Sequence, residues 1–446
     1  VNSLRFKLFS GGDMNVKKLF RQHLFVFLIG LALIAAGCGG GSDSYDEPSG
    51  QSSPVLEGQI DNVLIDAQTL KSWVDAGLVN GDGYENVVIL HNSGYADEHI
   101  PGALEWSMGG MDRVDGPLLS GNMVLDGETM DGLLQERGIR KGTTVVFTGG
   151  NNLARIYFNF RYWGFPKDQL KILNGDLAAW KAYGYPVTTV TPQVDPSDFS
   201  VCDLPGTQPD VRASLNEAIM YVEQGLVTPY NTYSATADLT APRITETLSG
   251  GTGGYVLFQG EMLGTVTDNF VAGLKKTVEI NGQQVTVFKN ADEMRAFLEN
   301  DLGVDLTKPI MTYCRAGNLA SQGFAPIDAV LGKEVEVMMY DGSWSQWGTL
   351  TNNPVAVPGA KWLLPSEYSD WETDTLTDPI FYLVDYVAAD FNPVEKIEPI
   401  YVYDGAPSSP YDPGANTIED EDREYWIAPP ESGPADSVSG GGGGGC

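Results

Sequence analysis

Ile310-Met311-Thr312-Tyr313-Cys314-Arg315-Ala316-Gly317-Asn318-Leu319-Ala320-Ser321 is the stretch that decides how this chain is read. An apolar run ends in a cysteine, a short glycine-containing turn follows, and a helix-compatible segment comes next. Strand, cysteine, tight loop and helix in that order form a way to make a thiolate, because loop N–H groups and the positive end of the helix converge on the sulfur. Arg315 adds a fixed positive charge next door.

Three further segments extend the pattern. Downstream lies Val337-Met338-Met339-Tyr340-Asp341-Gly342-Ser343-Trp344-Ser345-Gln346-Trp347-Gly348. Upstream, Thr144-Val145-Val146-Phe147-Thr148-Gly149-Gly150-Asn151-Asn152-Leu153-Ala154-Arg155 aligns with the Cys314 stretch on the shared Asn-Leu-Ala, so that Thr148 meets Cys314. Leu173-Asn174-Gly175-Asp176-Leu177-Ala178-Ala179-Trp180 is then the counterpart of the 340–347 segment. The chain repeats itself.

The Cys-Arg-x-Gly loop and the Asp-Gly-Ser-Trp-x-x-Trp segment resemble the active-site loop and closing segment of two-domain members of the rhodanese (sulfurtransferase) family. Asp97-Glu98-His99-Ile100-Pro101-Gly102-Ala103 resembles the His-Ile-Pro-Gly-Ala signature near the start of such domains. In the first copy threonine replaces the nucleophile, and a hydroxyl cannot hold a persulfide. That copy is expected to be a structural half that shapes the cleft.

The expected fold class is α/β, with two tandem rhodanese-like domains, each a mainly parallel sheet flanked by helices, plus an acidic C-terminal extension. Buried apolar runs at Val87–Leu90, Thr144–Phe147 and Ile172–Leu173 alternate with helical patterns, which implies a parallel sheet covered on both faces. Helical periodicity is read over 60–77, a hairpin around Asn281-Gly282 within 277–288, a strand at Tyr255–Phe258 after a flexible glycine loop at 250–254, and an amphipathic helix over 291–302. The domain boundaries are a signal peptide with lipobox at 1–38, a flexible tether at 39–57, an inactive domain at 58–190, a Pro-rich linker at 191–210, a catalytic domain at 211–358 and the extension at 359–446.

With 59 acidic against 27 basic residues, the net charge is −32, which argues against nucleic acid as a partner. Lys17, Lys18 and Arg21 precede an apolar core, Leu24–Ala36, too short to span a bilayer. Ala36-Gly37-Cys38 then resembles a lipobox, so Cys38 is the expected lipidation site and a lipid anchor in the outer membrane of a bacterial envelope the expected location. A lipidated Cys38 leaves Cys202, Cys314 and Cys446. A Cys202–Cys314 disulfide is the main structural alternative to a reactive Cys314. Cys202 is otherwise read as a resolving thiol, and Cys446 as a mobile thiol or attachment remnant.

The chain has three histidines, His23, His91 and His99, so a Cys–His pair is poorly supplied. His99 is read as structural. A phosphatase loop of the form Cys-x5-Arg would need arginine where Ala320 stands, and no zinc or phosphate-loop spacing exists, so no metal and no cofactor are expected. The resemblance implies that Cys314 is the nucleophile, with Arg315 attracting the donor and the backbone of Ala316, Gly317, Asn318 and Leu319 binding the leaving group. Ser321 is read as capping the loop or as a plain helix-start serine, and Asp341, Gly342 and Trp344 as holding the fold. Arg243, Lys275 and Lys276 are the basic residues available to contact substrate.

The expected function is sulfur transfer from thiosulfate, or a related small anionic donor, to a thiol or cyanide acceptor through a Cys314 persulfide. The alternatives are a non-catalytic envelope lipoprotein that binds a protein partner on this scaffold, and reaction with selenium or tellurium oxyanions. Asp378–Asp390 is expected to pack on the core. The acidic run Glu419-Asp420-Glu421-Asp422 is expected to be solvated rather than a calcium site, since it lacks a calcium loop's spacing and glycine.

Overall fold

The computed structural model describes residues 63–81, 86–107, 113, 123–233, 262, 264–343, 346 and 417–427, all within one compact unit, Ser53–Cys446. The lipobox with Cys38, the tether, Arg243, the 250–258 segment, Trp344, Asp378–Asp390 and Cys446 lie outside the described residues.

Apolar β-branched runs form the first sheet. Its strands are β1 (Leu64–Ile65), β2 (Val87–His91), β3 (Leu104–Glu105), β4 (Thr144–Thr148) and β5 (Leu170–Leu173). All pair parallel, in the order β1-β5-β4-β2-β3. Helices α1 (Ala67–Asp75), α2 (Gly127–Glu136), α3 (Leu153–Tyr162) and α4 (Asp176–Ala182) intervene. The helix expected over 60–77 is shorter than its periodicity suggested. Leu64–Ile65 is strand, and Asp66 starts α1 by accepting from the Thr69 N–H at 2.7 Å.

The second half repeats the scheme. Helix α5 (Leu215–Glu223) opens with a capping box between Ser214 and Glu217. Strands β6 (Thr228–Asn231), β7 (Val266–Thr267), β10 (Ile310–Tyr313) and β11 (Val337–Met339) form a parallel sheet ordered β11-β10-β6-β7. A parallel bridge from Arg212 to Met339 stands where β1 stands in the first sheet. Helix α6 (Ala291–Ala296) continues into a wider π turn, Phe297–Asp301, and buries Met294 and Leu298 as the pattern predicts. Helix α7 (Asn318–Leu331) connects β10 to β11.

Between β7 and α6 the antiparallel hairpin β8 (Lys275–Ile280) and β9 (Gln283–Phe288) turns at Asn281-Gly282, both at positive φ. It reaches onto the first half, where Val285 joins the core around Trp73 and Trp180 and the Phe288 N–H donates to Asn174 Oδ1 at 2.8 Å.

Helices α3 and α7 hold the halves together. Nearly every residue of α3 is buried, as expected of a helix with core on all sides. Phe158 meets Phe324 edge-on at 5.2 Å, and one apolar core runs from Phe147 through both helices to Cys314. On its other side α7 lies close on its own sheet, and Gly323 permits it, since a Cβ there would sit 2.5 Å from the Thr232 methyl. Asp328 of α7 accepts from Tyr157 Oη at 2.5 Å and Arg161 Nε at 2.9 Å, and pairs with Lys167 at 3.1 Å. Burial pushes its carboxyl up, but Arg161 and Lys167 hold it below the usual range.

The acidic run is a correction. Residues Thr417–Ile427 form helix α8, and Glu419 and Asp422 turn inward instead of into solvent. Ile418 is buried in the shared core, and Asp422 accepts from Arg113 Nη1 at 2.5 Å and Tyr162 Oη at 2.7 Å. The charges match arginines that sequence spacing cannot place.

Candidate active site

Cys314 directly follows β10, an inner strand of its sheet, and is 3 % exposed. The chain turns over Arg315, Ala316 and Gly317 into α7. Gly317 lies at φ 87°, where a side chain would be strained, so glycine lets the loop close. Its N–H donates to Cys314 Sγ at 3.1 Å. The N-terminus of α7 follows immediately and contributes its dipole.

From the other side comes the turn after β11. Ser343, at φ 52° and fully buried, accepts the Cys314 N–H through Oγ at 3.1 Å. The hydroxyl donates to the Tyr340 carbonyl at 3.0 Å and lies 3.8 Å from Cys314 Sγ. One proton serves both acceptors, so it can swing to the sulfur when the sulfur carries charge. Ser343 is not among the expected site residues; its signal in the sequence is its place in the Asp-Gly-Ser-Trp segment. Asp341 starts this turn and is fully buried. Its Oδ2 accepts from the Val124 N–H at 3.0 Å and from Arg212 Nε at 2.9 Å. Burial pulls the Arg212 guanidinium down, but Asp341 and Glu419 pull it up further, well above its ordinary value.

The other expected site residues divide. Arg315 follows Cys314 in the loop and is half-buried, its guanidinium 5.9 Å from the Tyr233 ring centre. Ala316 and Leu319 are half-buried in the loop and first helical turn. Asn318 is exposed and donates through Nδ2 to Asn152 Oδ1 at 3.2 Å, so the two loops touch. Ser321 donates to the Asn318 carbonyl at 2.6 Å, which is the helix-start reading. Lys276 goes to Glu293, and Lys275 lies 6.0 Å from the Phe288 ring centre, so neither is placed at the sulfur by these contacts. Cys202 and Cys314 are not joined to each other, and Cys202 Sγ lies 3.6 Å from the Tyr425 carbonyl, so the disulfide alternative is not formed.

The matching loop after β4 is closed by its own chain. Asp176, at φ 52° in the place of Ser343, accepts from the Gly149 N–H at 2.9 Å and the Gly150 N–H at 2.6 Å. Thr148 is fully buried, donates to the Leu90 carbonyl at 3.1 Å and lies 3.0 Å from His91 Nδ1. Burial lowers the His91 pKa. His99 is structural, bonded to the Tyr95 and Val190 carbonyls and stacked on Tyr95.

No protein-family model matches the chain. Among curated proteins it is 29 % identical over 304 residues to a "Putative thiosulfate sulfurtransferase" of Haloferax volcanii, covering 66 % of this chain and 96 % of that one. It is 29 % identical over 290 residues to the sulfur carrier protein TtuD of Thermus thermophilus, covering 60 % and 87 %. Among solved structures it resembles YnjE with a TM-score of 0.51 at 21 % identity, covering 66 % of this chain and 68 % of that one. It also resembles the anaerobic ergothioneine biosynthesis enzyme of Chlorobium limicola in complex with trimethyl histidine, with a TM-score of 0.50 at 17 % identity, covering 68 % and 72 %. The structural likenesses establish a shared α/β fold with parallel sheets. The sequence likenesses support a rhodanese-like chain that transfers sulfur.

Proposed function

We propose that this chain is a thiosulfate sulfurtransferase built from two tandem rhodanese-like domains, with Cys314 as its single sulfur carrier. The observation that carries the reading is the cradle of Cys314, in which Sγ accepts the Gly317 N–H at 3.1 Å while Ser343 Oγ holds the residue's own N–H.

The Cys314 thiolate attacks the outer sulfur of thiosulfate. The S–S bond of the donor breaks and sulfite leaves with its electron pair, so Cys314 becomes a persulfide. Arg315 draws the dianionic donor towards a protein whose net charge of −32 otherwise repels it. The Gly317 N–H, the Ser343 hydroxyl and the α7 dipole stabilise the persulfide anion. Cyanide or a thiolate then attacks the outer sulfur, the persulfide S–S bond breaks, and the Cys314 thiolate is regenerated. The first half carries no sulfur, since Thr148 stands in the place of the cysteine and Asp176 occupies the Gly149 and Gly150 N–H groups of the loop.

The working protein is read as a lipoprotein held through Cys38 at the outer membrane, on the lipobox resemblance alone. Mass measurement of the N-terminal peptide from membranes tests this; an unmodified Cys38 overturns it.

Incubation with thiosulfate, followed by assay of cyanide-releasable sulfur and thiocyanate, tests the function. Persulfide is expected on wild type and Cys202→Ser, and none on Cys314→Ser, with turnover reduced by at least ~10³-fold. A folded wild-type protein that forms no persulfide overturns the reading.

A further inference from the structure

The inner face of α8 points to a role beyond packing. Arg212 lies between two carboxylates, its side chain 1 % exposed, with Asp341 at 0 % and Glu419 at 13 %. Nε donates to Asp341 and Nη1 to Glu419 Oε1. Arg212 also bridges to Met339, the last residue of β11. Asp341 starts the turn, and Ser343 two residues later holds Cys314. An unbroken chain of contacts therefore runs from Glu419 through Arg212 and Asp341 to the nucleophile.

A buried guanidinium facing one carboxylate is neutralised but keeps N–H donors in need of acceptors, and it settles where its hydrogen bonds are best met. With Glu419 in place, Nη1 is satisfied and Nε stays on Asp341. Without it, Arg212 is free to rotate away from Asp341 or draw in water, and the Asp341 turn loses its anchor. We propose that Glu419 is a positioning residue for Cys314, acting through Arg212 and Asp341, so that α8 is a working part of the active site. The loss of turnover described below rests on the proposed sulfur transfer; the structural readout does not.

The test compares Glu419→Ala, Glu419→Gln and Tyr425→Phe in the full chain. Tyr425 donates to Asp131 at 2.8 Å, so its variant loosens α8 away from Arg212. Deuterium exchange of the peptide spanning 313–318 reports on the N–H groups of Cys314 and Gly317. Exchange there is expected to quicken by ~10-fold in Glu419→Ala, to recover largely in Glu419→Gln, and to stay unchanged in Tyr425→Phe. With thiosulfate and cyanide, kcat is expected to fall ~10-fold in Glu419→Ala with KM within ~2-fold, the mark of a displaced reacting group rather than lost substrate contact. Unaltered exchange in Glu419→Ala overturns the proposal, as does equal quickening in Tyr425→Phe at equal loss of stability. A wild-type protein without sulfur transfer whose Glu419→Ala exchange still quickens sinks the proposed function and leaves this inference standing.

Discussion

The loops after β4 and β10 sit side by side, joined through Asn152 and Asn318, and end differently. In both, backbone N–H groups meet one acceptor, the Gly317 N–H on Cys314 Sγ and the Gly149 and Gly150 N–H groups on Asp176, and both are met by the third residue of a turn held at φ 52°. In the second half that residue is Ser343, whose small neutral hydroxyl takes the Cys314 N–H and leaves that of Gly317 to sulfur. In the first it is Asp176, whose carboxylate takes them. A lost nucleophile would leave N–H donors without an acceptor, which is costly when buried, and the chain answers with an internal anion. Two residues therefore distinguish the loops, Thr148 in the place of Cys314 and Asp176 in the place of Ser343.

That comparison needs the loops held together, and the tie is Asp328. Asp328→Ala leaves Arg161 and Lys167 without their carboxylate and is expected to cost about 3–5 kcal/mol of stability, read by urea unfolding. A loss below about 1 kcal/mol would mean that apolar packing of α3 on α7 joins the halves by itself.

Ser343→Asp imports the sealing residue beside the sulfur. Turnover is expected to drop ~10²-fold, since a carboxylate repels both thiolate and anionic donor and competes for the loop N–H groups. Full activity would show that Asp176 is incidental to the sealed loop. The reciprocal change, Thr148→Cys with Asp176→Ser, is expected to give a thiol that iodoacetamide alkylates more than about tenfold faster than in Thr148→Cys alone. Equal rates would place the difference elsewhere in the first half.

The smallest effect concerns α8, which braces one half's loop and not the other's. Burial lifts the Asp422 carboxyl to about 6, more than Arg113 and Tyr162 pull it back. A raised carboxyl pKa means that the docked helix holds a proton the undocked one releases. Docking therefore weakens as pH rises from about 4 to about 6 and is level above that. Proteolytic cutting within 417–427 is expected to be a few-fold faster at pH 7 than at pH 4.5, with Asp422→Asn removing the difference once each protease rate is normalised to an unstructured peptide.

Much of the scaffold was legible. The apolar runs of β2, β4 and β10 and the Asn281-Gly282 turn are local signals, fixed by side-chain hydrophobicity and by backbone angles that glycine and asparagine tolerate. Cys314, Gly317 and the following helix were legible for the same reason, because they are neighbours in sequence. The aligned repeat already set Asp176 against Ser343, but nothing local says that the Asp176 carboxylate reaches back to Gly149 and Gly150.

The sequence by itself determined many of the elements and the place of Cys314 between a strand and a tight glycine loop, since propensity and turn chemistry belong to short segments. Only the tertiary structure decided that Asp176 seals the first loop, that β8–β9 packs on the opposite half, and that Glu419 reaches the far side of the Arg212–Asp341 pair. Those partners lie tens to hundreds of residues apart. Charge burial and core packing choose them only once the two sheets have set the distances between them.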